Sequence, residues 1–600
     1  MKKDINLLIG TVNGSGSQSA NSILLKSLFN MGVPVGGKNI FPSNIAGLAT
    51  WFSIRANRDG FVSFAESYDI VVCFNPETFE QDIKKVKSSG LVLYPKGRQY
   101  DSEKIPQDVI SYAIDFKTLV ADLSKSIQVK KLLMNMVYVG VLAEVLGVSE
   151  KSLIQALKSQ LKGKENLFSI NESALEKGRQ WVKDLGITLP QFSVDAKGLS
   201  AMEDKVLLDG NRAGALGLVS AGATFASWYP ITPSSSLAEN FQDFCFQFRQ
   251  NENGEHQYAI LQSEDELSAI AMVAGAGWAG ARAFTATSGP GVSLMAECIG
   301  LMYFAEIPGV IWNVQRMGPS TGLPTRTSQG DLMACAYASH GDSRHPVLIP
   351  GTPAECFEMA HDAFDLAEGF QSLVFVLSDL DLGMNSWMSD RPKAHTKKLD
   401  RGKVLNAKDL EKVKDYARYG DRDGDGIPHR TLPGTPHDGA AYFTRGTGHT
   451  PEAKYSEDAE NYRQLLNRLD RKWETLKTKV PKPVIVKRNP KVGILYFGST
   501  VAIMGELTHL LSSDGHSFSE CRIRAFPFSN EVDDFINEHE KIIVIEQNQM
   551  AQMKSLLTME YPAQAHKLTG ITEYGGMPLG AQAVYKKIGK LSEEDRNVFN

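Results

Sequence analysis

Residues 258–306, YAILQSEDELSAIAMVAGAGWAGARAFTATSGPGVSLMAECIGLMYFAE, change their hydrophobic period three times. YAILQ is a short apolar run, SEDELSAIAMVAGAGWAG is a small-residue helix with acids in its first turn, and ARAFTAT is a second apolar run. TSGPG then opens a further helix. Strand, helix, strand and helix with tight glycine turns predict a doubly wound parallel sheet. In such a sheet ligands bind where strands hand over to helices. On this stretch those places are SEDE and TSGPG.

The alternation extends in both directions. Upstream, NRAGALGLVSAGATFASW is a small-residue helix leading into a strand, and PGVIWNVQR and SLVFVLSD supply strands downstream. Together they outline a unit over residues 200–390. Residues 1–190 form another, with INLLIG, YDIVVCFN and GLVLYP as strands and NMVYVGVLAEVLGVSEKSLIQALKSQL as a helix pair whose second member starts at Ser149–Lys151. Residues 391–485 are charged and turn-rich and end in a polar helix. They read as a connecting arm that wraps a neighbour. From KVGILYFGSTVAIMGELTHLL to the C-terminus, with KIIVIEQNQMAQMKSLL as the clearest repeat, residues 486–600 form a third α/β unit.

Bulk properties narrow the function classes. A chain of 600 residues exceeds what one hydrophobic core organises. A net charge of −5 gives no basic field for nucleic acid or anionic lipid. No apolar run reaches the roughly 18 residues of a membrane span. The opening MKKDINLLIGTVNGSGSQSA reads as a first strand entering a glycine loop, because Asp4 interrupts any signal-like apolar run. The six cysteines are scattered singly, without zinc or cluster spacing. That usage fits a reduced cytoplasmic protein, with no metal bound by this chain.

Four short motifs carry chemistry. In SWYPITPSSSLAENF (227–241), Pro230 and Pro233 fix the backbone, Ser234 or Ser235 caps the next helix, and Thr232 is held in a fixed direction that suits a small anion. In QSEDELSA, Asp265 and Glu266 suit the first turn of a helix, and Glu264 is the candidate for a buried, working carboxyl. TSGPG (287–291), with Ser288 and Gly289, offers a close backbone approach, and QRMGPSTGLPTRTSQGD (315–331) adds Arg316 and Arg326. The N-terminal Gly14-Ser15-Gly16-Ser17 opens a helix. It reads either as a tight turn or as a phosphate cradle, without the third glycine of a dinucleotide site or the lysine of a P-loop.

YPITPSS, SED, TSGPG and QRxGPSTGxPTxxxQGD together resemble the α subunits of 2-oxoacid:ferredoxin oxidoreductases. GDGIPHRTLPG (424–434) and VIEQN (544–548) point to the 2-oxoglutarate branch, whose α chain often carries the γ domain at its N-terminus. The resemblance covers essentially the whole chain. It implies a γ domain at 1–190, a pyrimidine-binding domain at 200–390 and a transketolase C-terminal-like domain at 486–600. It further implies oxidative cleavage of 2-oxoglutarate to succinyl-CoA and carbon dioxide, with ferredoxin as acceptor, a reaction that run backwards fixes carbon dioxide in a reductive tricarboxylic acid cycle. The cofactors it implies are thiamine diphosphate and Mg²⁺ shared with a β subunit, a [4Fe–4S] cluster on that subunit, and coenzyme A as co-substrate. The assembly it implies is an (αβ)₂ heterotetramer.

Under the same resemblance Glu264 is the catalytic carboxylate on the aminopyrimidine ring. Tyr229, Pro230, Ile231, Ser288 and Gly289 shape the cofactor pocket, and Thr232 lies beside the substrate carboxylate. Gly14, Ser15, Gly16 and Ser17 take coenzyme A. Tyr337 stands where the pyruvate enzymes have an arginine, so Arg344 is the candidate for the distal carboxylate of 2-oxoglutarate. Other readings are action on pyruvate or a branched-chain or aryl 2-oxoacid, a catalytically silent assembly subunit, and a nicotinamide dehydrogenase resting on the Gly14 loop alone. DRDGDGI (421–427) imitates a calcium loop, but its twelfth position is Leu432 and not glutamate, which favours a solvated acidic turn. The GDG it contains lacks the later asparagine and the preceding strand of a thiamine-diphosphate metal motif.

Overall fold

In the computed structural model, which describes residues 2–591 apart from 44–46, 395, 397 and 414, the first unit is built on a six-stranded sheet. Its strand order is Val35–Ile40, Ala49–Asn57, Asp4–Val12, Tyr68–Cys73, Val86–Pro95 and Ile110–Ile114. From Asp4–Val12 onward the pairings are parallel, but Ala49–Asn57 runs antiparallel to both of its neighbours. The expected parallel sheet is therefore mixed at this edge. The connection over 41–48 is too short for a crossover of a dozen or more residues, so the chain returns antiparallel. The predicted helix pair is present as Ile127–Leu146 and Glu150–Gln160, and the Ser149 hydroxyl accepts from the Ser152 N–H at 3.3 Å to cap the second helix.

The middle unit carries a seven-stranded sheet in the order Ala525–Phe526, Val347–Leu348, Leu373–Asp379, Gly309–Gln315, Ala283–Thr287, Phe225–Trp228 and Ala259–Gln262. All pairings are parallel except that of Ala525–Phe526. That last strand comes from the C-terminal part of the chain, so the two units share a sheet edge. The central strands Ala283–Thr287, Gly309–Gln315 and Leu373–Asp379 are buried at every residue, as two-sided cover by helices demands.

The C-terminal sheet has the order Val484–Val486, Ser519–Ile523, Val492–Phe497, Lys541–Glu546 and Leu568–Thr572, and only its first pairing is antiparallel. The arm packs on its own chain. Its helix Ala459–Lys477 buries Leu465, Leu469, Trp473 and Leu476, and Trp473 and Leu476 join the cores of the middle and C-terminal units of its own chain. Charged pairs lock the units together. Arg55 of the first sheet forks onto Glu506 of the third unit at 2.7 and 2.9 Å, and Lys38 meets Asp381 of the middle unit at 2.6 Å. Removing one partner of such buried pairs strands a charge. Among the described residues, no helix is long and apolar enough to cross a membrane.

Candidate active site

Four loops leave the C-terminal ends of adjacent parallel strands in the middle sheet: 229–234, 263–265, 288–291 and 316–331. The first two are tied together by the Ser263 N–H donating to Trp228 O at 2.8 Å and by the Ser227 and Ser263 hydroxyls at 2.6 Å. The YPITPSS turn is braced from within. Ser235 Oγ accepts from the Ile231 N–H at 3.1 Å, and Ser234 N–H and Oγ donate to Ile231 O at 2.9 and 3.0 Å. Ser234 occupies the cap position of helix Ser235–Phe248, but its hydroxyl bonds backwards into the turn. Asn211 holds the turn from below by donating to Pro233 O at 2.8 Å. Tyr229 and Pro230 are exposed, and Ile231 and Thr232 are half-buried.

Beneath this turn lies a charged cradle. Arg316, 7% exposed, donates from Nη1 to Thr232 O at 2.8 Å. Burial lowers its guanidinium pKa, and the charges of Asp331 and Glu266 act in the other direction. Asp331 accepts from Asn313 Nδ2 at 3.1 Å, and burial raises its carboxyl to about 6 against the pull of Asn313 and Arg316. The TSGPG loop rests directly on these acids. A Cβ at Gly289 would lie 2.8 and 2.9 Å from the Asp331 oxygens, and one at Gly291 would lie 2.9 Å from Glu266 Cγ and 1.9 Å from Thr287 Oγ1. Only glycine fits at either position. Around the cradle, Ser288 Oγ, Asn313 Oδ1 and Arg316 Nε are buried without a hydrogen-bond partner in the protein. Buried polar atoms are nearly always satisfied, so these three point to a ligand that supplies the missing bonds.

The buried carboxyl of the SEDE stretch is Glu266, not the expected Glu264. Asp265 caps the helix Glu266–Trp278 by accepting from the Ser268 N–H at 2.7 Å, and these hydrogen bonds hold the Asp265 carboxyl below its usual range. Glu266 is then the first helical residue and faces inward at 6% exposure, whereas Glu264 precedes the cap and is exposed on this chain. Arg344 is also displaced from its expected place. It precedes strand Val347–Leu348, which runs parallel to Leu373–Asp379, and so sits at the N-terminal edge of the sheet, opposite the four loops. There it is ion-paired with Asp470 and its guanidinium lies 5.0 Å from the Trp473 ring centroid. Tyr337 packs on Phe526.

The Gly14–Ser17 loop borders a separate cavity of about 440 Å³. Gly16 takes a left-handed φ of 79° at the head of helix Ser17–Asn30, and Ser15 Oγ is buried without a partner. Asn13, Asn39, Phe41 and Trp51 line the cavity, and Met384 closes it from the middle unit. Among the described lining residues there is no lysine or arginine, so an anion here would rely on amides and the helix dipole. The calcium-like loop is neutralised from within the chain. Lys403 Nζ meets Asp423 at 2.6 Å and Asp425 at 2.8 Å, and Arg471 meets Asp421 at 3.0 Å.

Comparison with known proteins follows the same outline. Residues 217–416 match the family profile described as pyruvate flavodoxin/ferredoxin oxidoreductase, thiamine diP-bdg, and residues 6–181 match pyruvate ferredoxin/flavodoxin oxidoreductase. The 2-oxoacid:ferredoxin oxidoreductase 1 α subunit of Sulfurisphaera tokodaii is 30% identical over 92% of this chain and 93% of its own. The chain belongs to the α subunits of the 2-oxoacid:ferredoxin oxidoreductases. A 2-oxoglutarate synthase subunit KorA from Methanocaldococcus jannaschii is 33% identical over 57% of this chain and 88% of its own. The solved 2-oxoglutarate:ferredoxin oxidoreductase from Magnetococcus marinus, with 2-oxoglutarate, coenzyme A and succinyl-CoA bound, superposes with a TM-score of 0.85 at 28% identity. It covers 98% of this chain and 100% of its own.

This chain is therefore an oxidoreductase subunit with a thiamine-diphosphate-binding domain, and the four loops at 229–331 lie inside the segment that matches that domain. The sequence reading places Glu266 in the first turn of a helix and gives Arg316 and Asp331 no role; the structure brings all three to the cradle. A signal for Glu266 was present: Glu266, Ala269, Ile270, Val273 and Gly277 recur at helical spacing and form the buried face, and Glu264 falls outside it.

Proposed function

We propose that this chain is the α subunit of a thiamine diphosphate-dependent 2-oxoglutarate:ferredoxin oxidoreductase. It interconverts 2-oxoglutarate, coenzyme A and oxidised ferredoxin with succinyl-CoA, carbon dioxide and reduced ferredoxin. The observation that carries the reading is the cradle itself, in which an inward carboxylate, a buried arginine and three unpartnered polar atoms converge at the sheet edge where this fold binds ligands. When bound, thiamine diphosphate supplies the carbon nucleophile and the electron sink for decarboxylation.

The chain's own residues bind and orient. Glu266 takes the role of carboxylate partner to an aminopyrimidine nitrogen, in place of Glu264. The TSGPG loop, through Ser288 and Gly289, and the Tyr229–Ile231 turn wall the ring. Arg316, with a free Nε and a fixed Nη1, presents its fork to the 2-oxoacid carboxylate beside Thr232. The Gly14–Ser17 loop and its cavity suit the phosphate end of coenzyme A.

A β subunit completing an (αβ)₂ heterotetramer would hold the diphosphate, Mg²⁺ and the [4Fe–4S] cluster. The support from this chain is that its six cysteines are free and dispersed and that Glu264, Tyr229 and Pro230 lie exposed beside the cradle for a partner to cover. The same assembly in the cytoplasm would serve either direction, including the reductive one. Two named relatives favour 2-oxoglutarate over other acids. The near full-length relatives named for 2-oxoacids in general favour a broader range. Assay of the αβ complex with 2-oxoglutarate, pyruvate and a branched-chain 2-oxoacid, each with coenzyme A and a viologen dye, separates them. Preference for 2-oxoglutarate by at least tenfold in kcat/KM is the expected result, and equal or lower activity on it than on pyruvate overturns the assignment. Full turnover in both a Glu264→Ala and a Glu266→Ala complex would favour the silent-subunit reading.

A further inference from the structure

The connecting arm buries more positive charge than the chain balances. Arg418 and Arg430 are 4% and 2% exposed. The Arg418 guanidinium lies 4.6 Å from the Tyr419 ring centroid and 5.4 Å from that of Tyr442, and its Nη2 donates to Glu306 O at 3.0 Å. Its Nε and Nη1 are buried with no acceptor. Arg430 Nε is buried with no acceptor either, and its Nη2 reaches Glu368 only at 3.5 Å. Trp278, edge-on to Tyr442 with centroids 6.3 Å apart, adds a third residue with a buried, unaccepted N–H.

The nearby carboxylates are already engaged. Glu306 is held by Arg468 and by Lys472 at 2.8 Å. Glu368 is held by Arg282 at 2.7 Å and Arg401 at 2.9 Å, with half-buried Asp365 also on Arg282. The buried groups are thus five cations (Arg282, Arg418, Arg430, Arg468, Lys472) against two carboxylates (Glu306, Glu368). Arginine does not discharge by losing its proton at neutral pH, so an unpaired buried guanidinium needs a counter-charge. Burial lowers Arg430 to about 10 against the pull of Glu368, with the charges of Arg418 and Arg401 adding to the lowering, which leaves it protonated at neutral pH.

We propose that the arm holds a small desolvated inorganic anion, of the chloride or bicarbonate class, between Arg418, Arg430 and the Trp278 indole N–H. The anion takes the unaccepted N–H bonds and fastens the arm to the middle unit. It belongs to the arm and is independent of the oxidoreductase cradle.

The test uses the assembled αβ complex. Its Tm is measured at constant ionic strength while gluconate is replaced by chloride or, separately, by bicarbonate. The expected result is a saturable rise of about 2–4 °C with one or both anions, lost in an Arg418→Met complex. Crystals of the unaltered complex soaked in bromide provide a second measurement that does not depend on the variant folding. Anomalous density within hydrogen-bond distance of Arg418 Nη1 and Arg430 Nε is expected. The proposal is overturned if Tm does not respond to either anion and no bromide appears at this place, or if the saturable rise survives unchanged in Arg418→Met.

Discussion

Two arginines lie at opposite edges of the middle sheet, Arg344 expected from the sequence to bind substrate and Arg316 given no role by it, and the fold treats them differently. Arg316 follows the C-terminal end of its strand, is buried, and keeps a nitrogen without a partner above a cradle of acids. Arg344 precedes the N-terminal end of its strand, is half-buried, and is already spent on Asp470 and Trp473. A parallel sheet points its strand ends, helix N-termini and loop backbones toward one edge, so a functional cation is recognised by its edge and its unmet bonds rather than by its distance along the chain.

The contrast predicts unequal losses. The largest belongs to Glu266. Glu266→Gln in the αβ complex is expected to lower 2-oxoacid-dependent dye reduction by on the order of 10²-fold or more, as loss of a positioned carboxylate does. Glu264→Gln should stay within about threefold, and steady-state assays of the two variants side by side check this. Arg316→Met is expected to raise KM for the 2-oxoacid by about 10–100-fold through loss of a charge-assisted fork. A KM unchanged by that substitution would remove Arg316 from the substrate site.

Asp331 gives a pH signature of intermediate size. Its folded pKa of about 6 lies above the ordinary carboxylate value of 3.8, so the folded chain holds the proton more tightly. The resulting stability is fully present below about pH 4 and is lost as pH rises through about 6, roughly 3 kcal/mol in all. Asp331→Asn is therefore expected to unfold at a higher temperature than the parent at pH 7.5 and at a similar one at pH 4, by calorimetry. The smallest effect belongs to the other edge. Arg344→Ala breaks a half-exposed pair and should cost under about 1 kcal/mol while leaving KM for 2-oxoglutarate unchanged.

Much of this was legible from residues alone. The switch of period in 258–306 announced parallel strands, and TSGPG and the prolines of YPITPSS marked the loops that meet at their ends. Position on a helix was harder to read. Glu264 and Glu266 are two residues apart; the helical spacing of the apolar positions hints at Glu266, and the cap at Asp265 settles which one turns inward. Arg344 could not be placed without the path of the chain from Asp331 back across the sheet to Val347. The arm also escaped the reading, because its charged composition suggests solvent, while its helix in fact buries Arg468 and Lys472 around Glu306 together with Trp473.

The most direct measurement is a structure of the αβ complex with thiamine diphosphate bound. A Glu266 carboxylate oxygen within about 2.6–3.2 Å of an aminopyrimidine ring nitrogen, with Glu264 outside that range, is the predicted result. A ring nitrogen bonded instead to Glu264, or a ring seated away from the Ser288–Gly291 loop, would contradict it.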